Sequence, residues 1–413
     1  MGCARSLINL DWHDQYIIMG DTPRQPVTLT AAEAAAELGV SRATLYAYVS
    51  RGLIRSEPVP GSRNRLYRAD DVRRLRARPE PGEALNWGAP VLSSAITLIA
   101  DGRLYYRGRD ACALAVTNSV ESVARLLWQQ EADDPFAQPP PAMPPLPAGL
   151  TGLALCQAML PVAATADLKA FNLAPAGVAA TGARILRLLA AALSGSEPDA
   201  GPVEAVLARG WGAGPAAEPV LRTALILCAD HELNPSAFAA RVVASTGATP
   251  YAAVLAGLAA LQGPRHGGAT AQVAALLAAL DATEPVPMQI ARRLERGESL
   301  PGFGHPLYPQ GDVRARLLLD RVAAAAPGAP TLQTDRAVVA AARELTGLAP
   351  TIDFALVATV RALGLTPASA LALFAIGRAI GWIAHVQEQY AEPAPIRPRA
   401  RYAGDPPKPD TAR

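Results

Sequence analysis

The chain has 413 residues, a formal net charge of +2 and 50 % hydrophobic residues, a composition that excludes an intrinsically disordered protein and leaves room for about two or three domains. Its four cysteines, Cys3, Cys112, Cys156 and Cys228, show neither metal-ligand spacing nor a disulfide pattern, so a reducing, cytoplasmic setting without a structural metal is expected. The overall charge excludes nothing about partners. Lys169 and Lys408 are the only lysines, so arginine counts carry a compositional bias.

Residues 1–18, MGCARSLINLDWHDQYII, lack the basic start and long apolar run of a signal peptide, and Met19 is a second candidate start. A flexible extension over 1–26 is expected. Between Arg42 and Arg78 ten arginines face Glu57, Asp70 and Asp71, so this one segment is far more basic than the chain as a whole. Thr30-Ala-Ala-Glu33 is a capping box opening a first short helix. Gly39-Val40 makes a turn, and Ser41 can cap a second helix, RATLYAYVSRG. EPVPGSRNRLYR reads as a two-stranded wing, and Asp70 starts a third helix. Arg42, Thr44, Tyr46 and Arg51 lie on or near the second helix, the arrangement of a helix-turn-helix that reads duplex DNA. Over 27–79 the chain resembles the MerR-type winged helix-turn-helix family. A basic three-helix domain that makes only protein contacts is the other reading.

From residue 86 onward the pattern is mainly helical. ITLIADGRLYYRGRD predicts a hairpin turning at Asp101-Gly102. VESVARLLWQQE, GARILRLLAAAL, EPVLRTALILCAD, AAVLAGLAALQG and ATAQVAALLAAL predict helices, and the proline-rich stretches at 133–149, 194–202 and 325–330 predict loops. ALALFAIGRAIGWIAHV at 370–386 carries Arg378 at its centre and falls short of the ~20 uninterrupted apolar residues of a spanning helix, so a buried core helix is expected and no membrane. The polar, proline-rich tail after Ile396 is expected on the surface.

Four of the five histidines lie in the C-terminal half. His231 precedes Asn234-Pro235, a cap followed by proline at the first helical position. His266 sits in GPRHGG ahead of a helix, whose positive end disfavours an imidazolium. A neutral His266 suits hydrogen-bond donation to a developing oxyanion. His305 and Arg314 belong to PGFGHPLYPQGDVR, an irregular loop framed by Gly302, Gly304 and Pro306. Asp353, after Thr351, is either a carboxylate compensating a helix dipole or, where burial offsets the dipole, a general base. Arg378 among apolar neighbours needs an anion. Neutral histidines, a carboxylate and arginines together suit a dianionic carboxylate substrate and proton abstraction beside a carbonyl.

HELN at 231–234, GPRHGG at 263–268, PGFGHPLY with Arg314, TIDF around Asp353, GRAIGWIAH around Arg378 and IRPR around Arg397 resemble, in that order, the citrate synthase family. The resemblance runs from about Asn86 to Gly404. It implies an all-α fold of two lobes, 86–266 with 364–413 as the large one and 267–363 as the small one. It also implies condensation of acetyl-CoA with oxaloacetate, no cofactor and no metal, in a homodimer with shared active sites. By that resemblance Asp353 takes a methyl proton, His266 hydrogen-bonds the enol or enolate, and His305 polarises the ketone. His231, Arg314 and Arg378 hold oxaloacetate, and Arg397 comes from the neighbouring subunit. On its own sequence, Arg397 is equally a solvated charge in a tail. Propionyl-CoA in place of acetyl-CoA would give 2-methylcitrate. A transcription regulator whose synthase-like domain senses the metabolite is the reading from another class. Phe-Ala-Leu after Asp353, Arg265 for a usual leucine and Val313 for a usual proline depart from the family pattern and bear on acyl-chain preference.

Overall fold

The computed structural model describes residues 28–38, 40–50, 53–59, 65–76, 92–392, 394–398 and 404. The expected N-terminal extension, Arg51 and the tip of the wing lie outside the described residues. The chain divides into two compact units, Met1–Val91 and Leu92–Arg413.

In the first unit β1 (Thr28–Leu29) leads into α1 (Ala31–Leu38), followed by α2 (Arg42–Ser50), β2 (Ser56–Pro58), β3 (Arg65–Arg68) and α3 (Ala69–Arg76). The predicted capping box is closed from both sides. The Thr30 N–H donates to Glu33 Oε2 at 2.8 Å, and the Glu33 N–H donates to Thr30 Oγ1 at 3.3 Å. Ser41 Oγ accepts the Thr44 N–H at 3.2 Å and so starts α2. The strands form an antiparallel sheet in the order β1-β3-β2, with Ser56 opposite Tyr67 and Pro58 opposite Arg65. Ala34, Leu45, Ile54, Tyr67 and Val72 bury a small core of the unit's own. Leu45 is fully buried on α2, whereas Arg42 and Tyr46, one turn apart, are exposed.

The second unit opens with a three-stranded antiparallel sheet, β4 (Thr97–Ala100), β5 (Arg103–Tyr106) and β6 (Arg109–Asp110), the first two joined at Asp101-Gly102 as predicted. Both turn residues have positive φ, 52° and 70°, the backbone that an Asp-Gly hairpin supplies. Helices then follow: α4 (Ala111–Thr117), α5 (Val120–Leu127), α6 (Gly152–Ala166), α7 (Pro175–Ser194), α8 (Val203–Gly210), α9 (Glu218–Cys228), α10 (Pro235–Ala244), α11 (Pro250–Leu261), α12 (Ala269–Ala278), α13 (Val286–Glu295), α14 (Val313–Ala325), α15 (Thr331–Thr346), α16 (Ile352–Ala362) and α17 (Ala368–Tyr390). The chain is therefore mainly helical, as its sequence predicts.

Helix α17 organises the unit. It packs against α7, α9, α10, α11 and α16, with Leu373, Ile376, Ile380, Trp382 and Ile383 buried. By length and composition α7 and α17 would pass for membrane spans, but both are mostly buried among other helices, as expected for 370–386. Gly377 and Gly381 let α17 approach the end of α9: a Cβ on Gly381 would stand 2.3 Å from the Ala229 carbonyl oxygen.

Candidate active site

Six of the seven predicted catalytic and substrate-binding residues converge in the second unit. His231, His266, His305, Arg314, Asp353 and Arg378 line a single cavity of about 350 Å³, together with Asn234, Arg265, Phe303 and Phe374. Arg397 is exposed and is not among the lining residues. Its neighbour Ile396 anchors the tail, donating its N–H to Ser245 Oγ at 3.0 Å.

Helix starts and glycine turns position these groups. Asn234 caps α10, with Oδ1 accepting the Ser236 and Ala237 N–H groups at 3.2 Å. That cap sets the turn on which His231 is carried, and Glu232 pays for the turn with a positive φ of 52°. The turn at Gly302, φ +83°, lies so close to α12 and α16 that a Cβ there would meet Val273 at 2.7 Å. The Thr351 N–H donates to the Gly302 carbonyl at 2.8 Å and ties the His305 loop to the start of α16. Thr351 occupies the cap position, but its hydroxyl bonds Asp353 Oδ2 at 3.2 Å rather than the helix backbone.

All three histidines are held uncharged. His231 is pushed well below the ordinary imidazole range by burial first and then by Arg314 and Arg378. His266 is lowered to about 4 by burial and Arg378. His305 is lowered by burial and Arg314. Burial and the charge of Arg378 thus hold His266 neutral ahead of the start of α12. The Leu307 N–H donates to His305 Nδ1 at 3.2 Å, so the proton of the neutral ring is on Nε2, which is left as a donor. His231 Nε2 is 3.1 Å from the Tyr308 hydroxyl. His266 Nε2 is 2.7 Å from Ser236 Oγ. Ser236 gives its own proton to Asn234 Oδ1 and accepts from Trp382 Nε1, so His266 Nε2 is the donor in this pair.

The arginines differ in how much of their fork is used. Arg314 is bidentate to Asp312, Nε to Oδ1 at 2.9 Å and Nη2 to Oδ2 at 2.8 Å. The same carboxylate accepts the Arg314 and Ile352 N–H groups, each at 3.0 Å. Arg378 donates Nε to the Cys228 carbonyl at 2.8 Å and lies with its guanidinium carbon 5.0 Å over the Phe374 ring. Among the described residues no bond is made by the terminal nitrogens of Arg378 or by Nη1 of Arg314, which suits them to a carboxylate. Asp353 has its carboxyl raised by desolvation, against the lowering pull of Arg314. A carboxylate of increased basicity beside neutral hydrogen-bond donors is equipped to take a proton from carbon.

Asp312, Tyr308, Ser236 and Phe374 are absent from the sequence-predicted set. Only Asp312 carried a local signal, as a capping residue before a helix.

Residues 141–399 match the family described as "Citrate synthase, C-terminal domain". The chain belongs to the citrate synthase family. Residues 28–78 match a helix-turn-helix domain. Over 186 residues the chain is 40 % identical to the citrate synthase of Haloferax volcanii, covering 44 % of this chain and 49 % of that one. It is 35 % identical over 183 residues to a 2-methylcitrate synthase of Mycobacterium tuberculosis, covering 44 % and 47 %. This citrate synthase family member thus spans about half the length of the curated relatives it matches. Among solved structures, the citrate synthase of Pyrobaculum aerophilum aligns with a TM-score of 0.66 at 25 % identity, covering 77 % of this chain and 91 % of that one. The Thermoplasma acidophilum enzyme, in a ternary complex with carboxymethyl coenzyme A and oxaloacetate, aligns with a TM-score of 0.66 at 24 % identity, covering 79 % and 97 %. The second unit therefore has the citrate synthase fold.

Proposed function

We propose that the chain is a citrate synthase that condenses acetyl-CoA with oxaloacetate and hydrolyses the citryl-CoA formed to citrate and CoA. The observation that carries this reading is the convergence of Asp353, three neutral histidines and two buried arginines on one cavity. Asp353 takes a methyl proton from the thioester. The resulting carbon nucleophile bonds to the ketone carbon of oxaloacetate, whose oxygen is polarised by the His305 Nε2–H and ends the step with the proton that Asp353 removed. His231, Arg314 and Arg378 hold the dicarboxylate. His266 holds the thioester oxygen in its other neutral tautomer, with the one ring proton on Nδ1 and Nε2 accepting from the Ser236 hydroxyl. Rotation of the Ser236 hydroxyl from Asn234 Oδ1 to His266 Nε2 is the movement that permits this. Water then cleaves the thioester and releases CoA as a free thiol.

In this reading 267–363 is the smaller lobe, the assembly is a homodimer in which Arg397 completes the partner's cavity, and the first unit binds duplex DNA. Thiol release by the purified protein tests the chemistry, with oxaloacetate and either acetyl-CoA or propionyl-CoA. Faster release with propionyl-CoA reassigns the product to 2-methylcitrate. Oxaloacetate binding without release from either thioester leaves a metabolite sensor.

A further inference from the structure

Behind the cavity, one residue before His231, lies a buried acid–base pair that the proposed chemistry does not use. Asp230 and His385 are both 0 % exposed. His385 Nε2 lies 3.2 Å from Asp230 Oδ1, and the Thr97 hydroxyl donates to Oδ2 at 2.6 Å. The Tyr106 hydroxyl holds the main chain of the same residue, accepting the Asp230 N–H at 3.3 Å. One carboxylate therefore joins β4, the turn between α9 and α10, and α17.

The pair is expensive for a core. Both groups lose their hydration, and His385 Nδ1 has no hydrogen-bond partner among the described residues. Packing alone does not account for it, whereas its place does. On α17, Gly377, Gly381 and His385 recur every fourth residue and so lie on one face. A Cβ on Gly381 would stand 2.5 Å from Asp230 Oδ1, so that face is kept bare for the turn. Arg378 projects from the same helix, and Asp230 is the foremost charge that favours its guanidinium in this dry setting. His231 follows Asp230 directly. Fixing Asp230 on α17 therefore fixes the spacing between His231 and Arg378.

We propose that Asp230, held by Thr97 and His385, is a positioning residue that sets His231 against Arg378 and thereby sets the affinity for the 2-oxo dicarboxylate without touching it. The inference rests on reading the cavity as an oxaloacetate site. It requires oxaloacetate binding to respond to the pair while the thioester side, around Asp353 and His266, does not.

Three variants of the full chain test it: His385→Leu, His385→Gln and Thr97→Val. Each is followed by calorimetry with oxaloacetate, by KM for both substrates and by thermal melting. His385→Leu should weaken oxaloacetate binding roughly tenfold, the scale of one lost hydrogen bond to a charged group. His385→Gln can still donate to Oδ1 and should stay within about threefold of wild type, and Thr97→Val should fall between the two. KM for acyl-CoA should change by less than about twofold. Wild-type oxaloacetate affinity in all three variants overturns the proposal. So does an equal loss for both substrates that glutamine fails to rescue, because that is the signature of packing. If His385→Leu does not fold, the glutamine and Thr97→Val variants decide. A wild-type protein that binds no oxaloacetate refutes the reading of the cavity, and this inference with it.

Discussion

His231, His266 and His305 are all neutral in the folded chain, and this has opposite consequences for stability and for catalysis. Unfolded, each ring takes up a proton near 6.5. Because the folded values are lowered, their contribution is fully present above 6.5 and is lost as pH falls through the folded values, about 4 for His266. Asp353 runs the other way: its raised folded value means that its contribution is lost as pH rises and recovered on acidification. Glu204 and Asp335, raised by burial to about 7 and about 6, also oppose the histidines, so the melting temperature between pH 6.5 and pH 4 is a balance to which each lowered histidine adds a fall on acidification. His266→Gln should make that fall shallower in a melting series against pH; an unchanged slope would remove His266 from the account. For catalysis, Asp353→Asn should cost ~10²–10⁴ in thiol release while leaving oxaloacetate binding nearly intact, since the base acts on the other substrate. Near-normal turnover would sink the assignment. The glycine-framed histidines are legible in the sequence because Gly302, Gly304 and Pro306 admit only an irregular loop. Asp312 is not. Its local pattern shows a helix cap, which it is, and Arg314 is only two residues away, but its bond to the Ile352 N–H depends on a helix 40 residues away. Ser236 and Tyr308 are hidden for the same reason.

The elements that could be read from sequence are those with local punctuation: the Thr30/Glu33 capping box, the Asp101-Gly102 hairpin and the Asn234 cap. Helices α14 and α15 are harder to read, because alanine fills several faces and blurs the apolar period. The close approach on α17 is not legible at all, since a glycine inside a helical pattern reads first as a defect. Its consequence can be measured. Alanine for glycine in an exposed helix stabilises by roughly 0.5–1 kcal/mol. At Gly381 the added Cβ meets the Ala229 carbonyl and the Asp230 carboxylate, so Gly381→Ala should instead destabilise by roughly 1–3 kcal/mol in denaturant unfolding. A neutral or stabilising result would mean that the contact yields. On α2 Arg42 and Tyr46 are exposed, with Leu45 turned to the core. Duplex DNA should bind the full chain with an affinity that falls steeply as salt rises. Arg42→Ala should weaken it and lower the salt slope by about 1. No gel shift at low salt on any duplex, including the gene's own upstream region, would make the first unit a protein-contact module.

At the scale of the whole molecule, the cavity contains every predicted catalytic and substrate-binding group except Arg397, which is exposed on a tail anchored through Ile396. Among the described residues Arg314 and Arg378 are the buried cations that line the cavity and Arg265 is an exposed one, and the resemblance to citrate synthases adds Arg397 from a neighbouring subunit. A solvated tail charge predicts that Arg397→Ala is silent. A shared site predicts that it is nearly inactive, and that the loss can be repaired by another subunit. Asp353→Asn homodimers should be nearly inactive for a different reason, the missing base. When the two proteins are mixed under conditions that exchange subunits, the heterodimer holds one site that lacks both groups and one that lacks neither. The whole site takes Asp353 from the Arg397→Ala subunit and Arg397 from its partner. Activity should then return as exchange proceeds. If Arg397 serves its own subunit, each site in the mixture lacks one group and activity stays at background. Proven exchange without recovered activity would therefore exclude the shared site, and would leave Arg397 acting within its own chain.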